Sequence, residues 1–444
     1  MTRKQYEDIE ISGEKVPVIW SGDVLVIGGN ASGVAAGAAS ARKRVKTMVI
    51  ERNSYLGGKV SDSPGFPIKG CFPGYVSLGG IMDELCAKLR FAKEDSAAVV
   101  DIKGSGVSYY HESEYFKWLS EDILTKSGCR WMLGMTVEKV LMEEGKIKGI
   151  IAVRNMKKYA FLAEMVIDAT ETGEIAEEGG AFQSGNESAG FYYPFILENV
   201  DTDVLGEYLK KDGNLEKAKA HARENGDMPD REGNVERLKV GIKEGKVYVD
   251  SVYLEEKVYA EMEDIISAAH RKVLEHICFY RKYVPGMESA SLHRCSGGLI
   301  RELPGKIKGI CQGKKNGYEK EGKFQGILRV EAETNGLKQI KLPLGMIISQ
   351  KTDNLLVAGK TCDLEDDLRR KIGTGQEMVL GQCAGVCAAT AVLREIMPKD
   401  LKEEEIHSML DELGCDIDGN LSRPYMGDKI ICELSEDGRK EAET

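Results

Sequence analysis

The hydrophobic pattern opens with a continuous β-branched run, DVLVIG at 23–28. A strand written that way is buried on both faces, as in a parallel sheet. Small residues at helical spacing follow from Ser32 to Arg44, and a second apolar run, TMVIE, ends at Glu51. Strand, helix and strand in that order make a βαβ unit. Helical periodicity returns over 79–92, carried by Ile81, Leu85 and Leu89, and again over 113–126. Between 131 and 168 short strands alternate with charged turns, and MEEGKIKGI reads as a hairpin. The stretch 201–250 is polar and charged, which leaves open a mobile insertion or a surface helix hairpin. A long helix is expected over 254–282, strands near 325–345, a buried strand in NLLVAGK (354–360), and a small-residue helix over 376–394. A short helix and an acidic tail close the chain.

Composition narrows this picture only at a few points. With 444 residues, 42% hydrophobic and 30% charged, the chain is an ordinary globular protein of two or three domains. A net charge of -11 argues against a nucleic-acid partner, whose phosphates want a concentrated positive field. The eleven cysteines show neither a CxxC pair nor zinc-finger spacing, so no metal site is expected. Cys383 and Cys387, one helical turn apart, read as small buried hydrophobes. The first residues, MTRKQYEDIE, lack an apolar signal core, and no apolar run approaches the roughly 18 residues that span a bilayer. A cytoplasmic location without a membrane span is the expectation.

The chemistry sits at the first βα turn. A dinucleotide fingerprint places three glycines over six residues, for a tight turn, for close approach to pyrophosphate, and for helix–strand packing. Here the window is Gly28-Gly29-Asn30-Ala31-Ser32-Gly33, with Asn30 in the middle position. Asn tolerates a left-handed backbone, so the turn is expected to survive, with the Asn30 side chain aimed away from the phosphates. Glu51, at the end of the next strand, is placed to accept hydrogen bonds from a ribose diol and to repel a 2′-phosphate, which favours FAD or NAD over NADP. A second glycine turn, Gly57-Gly58-Lys59, follows directly and suits the longer FAD.

The run VIGGNASGVAAGAASARKRVKTMVIERNSYLGGK resembles the opening of the FAD-dependent oxidoreductase family, within the glutathione-reductase-like group of flavoproteins. Further segments resemble that family in sequence order: VIDATETGEIA (166–176), FYRKYVPGMESASL and LIRELPGKIKG (279–309), and NLLVAGKTC with MVLGQCAGVCAATAV (354–392). The resemblance implies an extended FAD, with its ADP half on the first βα turn and its isoalloxazine at the junction with a second domain. It also implies that Arg52, Val137, Thr170, Gly173, Gly359, Gly375, Gln376 and Met378 join the residues above in holding the cofactor. The helix after Gly373-Thr374-Gly375-Gln376 would aim its positive dipole end at the flavin. Three departures bear on the substrate. Glu171 and Thr172 replace a usual Gly and Asp, Pro304-Gly305-Lys306 stands where two further arginines are usual, and Arg369, Arg370 and Lys371 lie slightly earlier than the arginine expected before the final helix.

The expected architecture is α/β: a discontinuous Rossmann-like FAD-binding domain with a mixed α+β substrate or cap domain. Its FAD parts fall at 20–100 and 345–400. Residues 101–180 are mixed and partly FAD domain, 181–344 form the cap, and 401–444 hold the C-terminal helix and tail. The expected reaction is hydride transfer between a small organic substrate and flavin N5, with Arg301 and His293 as catalytic candidates for orienting an anion or moving a proton. Cys71, in the loop 64–80, is a weaker candidate facing the flavin. A single fingerprint argues against a reductase with two nucleotide domains. A protein electron partner and a homo-oligomer stay open. So do two other readings, a flavin electron-transfer subunit of a larger complex and a redox-neutral isomerase or cyclase.

Overall fold

The structure, a computed structural model, describes residues 8–11, 13–63, 68–73, 78–92, 98–100, 106–109, 113–183, 190–211, 213–227, 238–240, 245–249, 252–259, 261–314, 325–331, 337–415 and 430–432. The run at 23–28 belongs to a ten-residue strand, β1 (Val18–Ile27), whose last four residues are fully buried. It leads into α1 (Ala31–Arg42) and then β2 (Thr47–Ile50), the βαβ unit expected from the pattern. Next come α2 (Gly80–Ala92), α3 (Ser113–Lys126) and β3 (Arg130–Met132). Three long strands follow: β4 (Thr136–Glu143), β5 (Lys146–Arg154) and β6 (Lys157–Asp168). The predicted hairpin joins β4 to β5, and both of its turn residues, Glu144 and Gly145, have positive φ (48° and 79°). That is the mirror-image turn whose twist matches the strands. Late in the chain come β7 (Leu355–Val357) and α4 (Thr374–Arg394).

These strands form one seven-stranded sheet in the order β3-β2-β1-β6-β5-β4, with β7 also on β6. The pairs β3–β2, β2–β1 and β1–β6 are parallel, as are β6 and β7, whereas β6–β5 and β5–β4 are antiparallel. The long β6 therefore has two roles. Its first half pairs with β5 (Gly149 opposite Leu162), and its last three residues pair with β7 (Val166 opposite Leu355). The C-terminal ends of β1 and β6 lie side by side, Ile27 against Asp168. In open α/β sheets ligands bind beyond those ends.

Helix α4 packs on α1 through backbone contact. A Cβ on Gly381 would lie 2.0 Å from the Ser32 carbonyl oxygen, and one on Gly385 would lie 2.3 Å from that of Ala36. Ser40 Oγ donates to the Gly385 carbonyl at 3.0 Å and ties the crossing. Length and composition alone make α4 long and apolar enough to cross a membrane, with 83% of its most apolar window buried inside the protein. This departs from the expectation that no run nears that length. Val, Leu, Met, Ala and Cys keep the mean hydropathy high although Gln376, Glu377 and Gln382 interrupt the run.

A second core is built from residues between Phe191 and Ala290. Its sheets join residues 190–192 with 253–255 and 300–301, and residues 195–198 with 247–249 and 291–295. The polar stretch 201–250 contributes two helices, Thr202–Leu209 and Asn214–Glu224, whose Leu205, Leu209, Leu215, Ala218 and Ala222 are buried in this core. The helix expected over 254–282 begins only at Met262 and runs to Tyr283. Residues 253–255 pair instead as a strand, which buries Leu254, so tertiary pairing overrides the local helical pattern.

Candidate functional site: a two-part cleft at the ends of the parallel strands

Two glycines of the fingerprint are fixed by backbone contact. Gly28 has φ +100° and passes so close to β6 that a Cβ would meet the Ala169 carbonyl at 2.4 Å. A Cβ on Gly33 would lie 1.9 Å from the Gly28 carbonyl oxygen, so α1 can start this close to β1 only with glycine there. Asn30 at the middle position is not left-handed, contrary to the expectation. Its backbone is extended (φ -68°, ψ -179°) and it is the N-cap of α1. Its Oδ1 accepts from Gly33 N at 2.9 Å and from Ser32 Oγ at 2.8 Å, while its Nδ2 donates to the Ala169 carbonyl at 2.6 Å. The side chain thus closes the turn from behind by capping the helix.

Glu51 lies where the fingerprint puts the acid. Its Oε2 accepts from Gly29 N at 2.6 Å and its Oε1 from Asn53 N at 2.8 Å. Burial pushes this carboxyl above the usual carboxylate range, against the pull of the Asn53 and Gly29 N–H groups. Gly57 and Gly58 both have positive φ, and Gly57 N donates to the Gly29 carbonyl at 2.7 Å, docking the second glycine turn on the first.

Lys59 reaches from that turn to the start of α4, where its Nζ lies 2.9 Å from Glu377 Oε1. Burial draws the Lys59 ammonium down, but the Glu377 and Glu171 carboxylates outweigh it and hold its pKa above the ordinary lysine value. Glu377 is correspondingly held low, since Lys59 and Lys360 outweigh burial. Glu171 Oε1 accepts from Lys59 N at 3.3 Å.

The loop after β6 is organised by Asp168. Its Oδ1 accepts from Thr170 N and Oγ1 (2.9 and 2.6 Å), and its Oδ2 accepts from Ala176 N at 2.8 Å. Thr170 Oγ1 in turn accepts from Gly173 N and Glu174 N, both at 3.0 Å. Full burial raises the Asp168 carboxyl to about 6 in spite of these donors.

The elements enclose a cleft of about 320 Å³, lined among others by Gly28, Asn30, Glu51, Arg52, Gly58, Lys59, Val137 and Thr170. An adjoining cleft of about 200 Å³ shares Asn30, Arg52, Lys59, Thr170, Glu171, Leu299 and Ile300 with it, and adds Ala31, Ser32, Gly57, Gly359, Lys360 and Glu377. Phe191 of the second core, together with Met262, Leu299, Ile300 and Arg301 from segments beside it, adds to its wall. Arg301 makes a two-pronged pair with Glu256, at 2.9 and 2.7 Å, and its guanidinium lies 4.8 Å from the centre of the Phe191 ring.

Other sequence candidates fall elsewhere. His293 is exposed on the edge strand 291–295, where Nδ1 is 2.8 Å from Glu198 and Nε2 is 3.1 Å from Lys246, and it lines neither cleft. Its strand carries it to the outer surface of the second unit. Gly375, Gln376 and Met378 are buried at the start of α4 but line neither cleft, and Gln376 Oε1 accepts from Gly373 N at 2.8 Å. Gly173, left-handed and packed against Phe182, supports the loop from outside. Arg52 pairs with Glu174 at 3.0 Å. The side chain of Cys71 lies outside the described residues. Arg369 is fully buried and donates to the carbonyls of Lys360, Pro304 and Gly305, a tie between segments that leaves it off the cleft walls.

Sequence reasoning missed Glu377 and the role of the Gly297-Gly298 pair. A Cβ on Gly297 would lie 2.2 Å from Asp62, and Ser296 Oγ bonds Ser63 Oγ at 2.6 Å, so this loop closes the larger cleft from the second unit. Among the described residues, no group of three or more His, Cys, Asp or Glu side chains is placed to hold a metal ion.

Comparison with known proteins decides what the cleft belongs to. The family model of FAD dependent oxidoreductases matches residues 23–304. The chain belongs to this family. Among curated proteins, the oxidoreductase is 26% identical over 181 residues to the thiamine thiazole synthase of Methanococcus aeolicus, a match that spans 39% of this chain and 62% of that protein. Among solved structures, it is similar to a geranylgeranyl bacteriochlorophyll reductase-like protein from Thermoplasma acidophilum (17% identity, TM-score 0.49, 92% of this chain and 85% of that one). It is also similar to the anhydrotetracycline hydroxylase of Streptomyces rimosus (9% identity, TM-score 0.45, 88% and 66%). Likeness at this level says nothing about the reaction. The oxidoreductase is a flavoenzyme whose cofactor is FAD, and the cleft fits that group. Gly28 and Gly58 line it with backbone alone, and its free volume lies at the lower end of the range of ligand pockets.

Proposed function

We propose that this oxidoreductase transfers a hydride between a small organic substrate and flavin N5. The observation that carries the reading is the continuity of the two clefts, which share seven residues and pass from the Glu51 acid to a wall supplied by the second core and the segments beside it. A long cofactor lying across both would present its adenosine end to Glu51 and Val137 and its reactive end toward Phe191 and Arg301. FAD supplies two-electron redox chemistry when bound. The protein's part is to bind, orient and exclude water. Gly28 to Gly33, Gly57, Gly58 and Thr170 would hold the phosphates and ribose, and Lys59, tied to Glu377, would add a positive charge at the junction. Arg301, braced by Glu256 and Phe191, is pre-oriented to hold a polar or anionic group of the substrate. His293 has no part in this reading.

The test is the visible absorption spectrum of the purified protein, followed by anaerobic titration with small organic donors. Flavin bands that bleach on adding a donor, with oxidised product recovered, support the reading. A flavin that stays oxidised with every organic donor yet accepts electrons from a protein partner would transfer it to the electron-transfer class.

A further inference from the structure

We propose that Glu171 is an internal anion that competes with the phosphates of the dinucleotide for the Gly57–Lys59 turn, and so sets the affinity for the cofactor. Its carboxylate accepts from the Lys59 amide at 3.3 Å and lies over Gly58, where a Cβ would meet it at 3.0 Å. It lines both clefts at their junction, exposed to the space between them.

The turn does not need this side chain. The backbone at 171 has no positive φ, and the loop is held by Asp168 and Thr170 through five hydrogen bonds that bypass Glu171. The nearby cations do not neutralise it in full. The Lys59 ammonium feels the Glu171 charge but makes its short ion pair with Glu377 at 2.9 Å, and Arg52 pairs with Glu174 at 3.0 Å. An arriving phosphate therefore meets a like charge on an amide it would otherwise accept from, and binding requires the carboxylate to swing away. Like charges a few ångströms apart in a partly desolvated cleft repel strongly, and salt weakens that repulsion.

The test titrates FAD, ADP and riboflavin calorimetrically into cofactor-stripped wild type, Glu171→Gln and Glu171→Gly. Both variants should bind FAD and ADP about tenfold more tightly than wild type, with the gain shrinking at high salt. Riboflavin, which has no phosphate, should change by less than about twofold in either variant. Unchanged or weaker FAD binding in both variants would overturn the proposal, giving Glu171 the task of holding the turn. An equal gain for riboflavin would overturn it too, because space and not charge would then be at issue. These are equilibrium measurements on the exposed side chain, so they stand apart from whether a hydride donor is ever found.

Discussion

The α carbon of Gly33 faces the carbonyl oxygen of Gly28 so closely that a methyl group there would lie 1.9 Å from it. This contact sets the distance between α1 and β1 and hence the depth of the cleft. Gly33→Ala should lower stability by about 3 kcal/mol, because the obstacle is backbone and cannot rotate aside. It should also abolish stoichiometric FAD binding, measured by flavin absorbance after gel filtration. A variant that retains full flavin content would mean that the helix can retreat without harm.

Asn30 offers a gentler probe of the same turn. As the N-cap of α1, Asn30→Ala should cost about 1 kcal/mol, and Asn30→Gly only a few tenths. Urea denaturation of the cofactor-free protein checks the order of the two. Equal losses would show that the bond from Asn30 to the Ala169 carbonyl outweighs the cap.

The pair of Lys59 and Glu377 is buried, so removing one partner strands the other. Lys59→Met and Glu377→Gln should each destabilise the fold by about 3–5 kcal/mol, while the double variant loses much less than their sum. A thermodynamic cycle on the three variants measures the coupling. Additive losses would show that the two charges are solvated separately.

Asp168 makes stability depend on pH in the direction opposite to a surface-paired carboxylate. Burial raises its pKa from 3.8 to about 6, so the folded state holds a proton that the unfolded state has released across that interval. Its contribution therefore falls as pH rises from about 4 to 6 and is level above, by an amount on the order of 2–3 kcal/mol. Wild type measured against Asp168→Asn should lose that margin between pH 4 and pH 7. A difference that stays constant with pH would show that the loop donors keep the carboxylate ionised throughout.

On the substrate side, His293→Ala should leave flavin content unchanged and stability within about 0.5 kcal/mol, as for an exposed side chain. Arg301→Lys should slow flavin bleaching by an organic donor, because an ammonium reproduces neither the two-pronged pair with Glu256 nor the stacking on Phe191. Equal bleaching rates would remove Arg301 from the proposed substrate contacts.

Much of this site is legible in the sequence because its physics is local. Gly28, Gly33 and Glu51 sit within one βαβ unit, and the strand, helix and acid announce one another. What the sequence hides is contact between distant segments. Lys59 and Glu377 are 318 positions apart, and nothing in QEMVLG marks its glutamate as the partner of a lysine in the second glycine turn. Left-handed tolerance, the property by which Asn30 suits the turn in the sequence, is not the one the fold uses, since its extended backbone and helix cap keep it there. His293 is a candidate by residue type alone, and the alternation of strand 291–295 gives no sign of which face meets the cleft.

The double duty of β6 has a consequence for how the protein is made. The edge at Val166–Asp168 receives β7, whose flanking Asn354 bonds the Glu164 carbonyl 190 positions earlier, and Ala358 N then donates to Asp168. Until the ribosome has delivered that late segment, the strand end beside the Thr170 loop is an open edge, and α4 is not there to supply Glu377. Nonlocal parallel pairing of this kind forms slowly. A nascent chain that stops short of β7 therefore leaves one edge of Val166–Asp168 unpaired, its other edge resting on β1, and lacks the Gly359, Lys360 and Glu377 that complete the cleft wall.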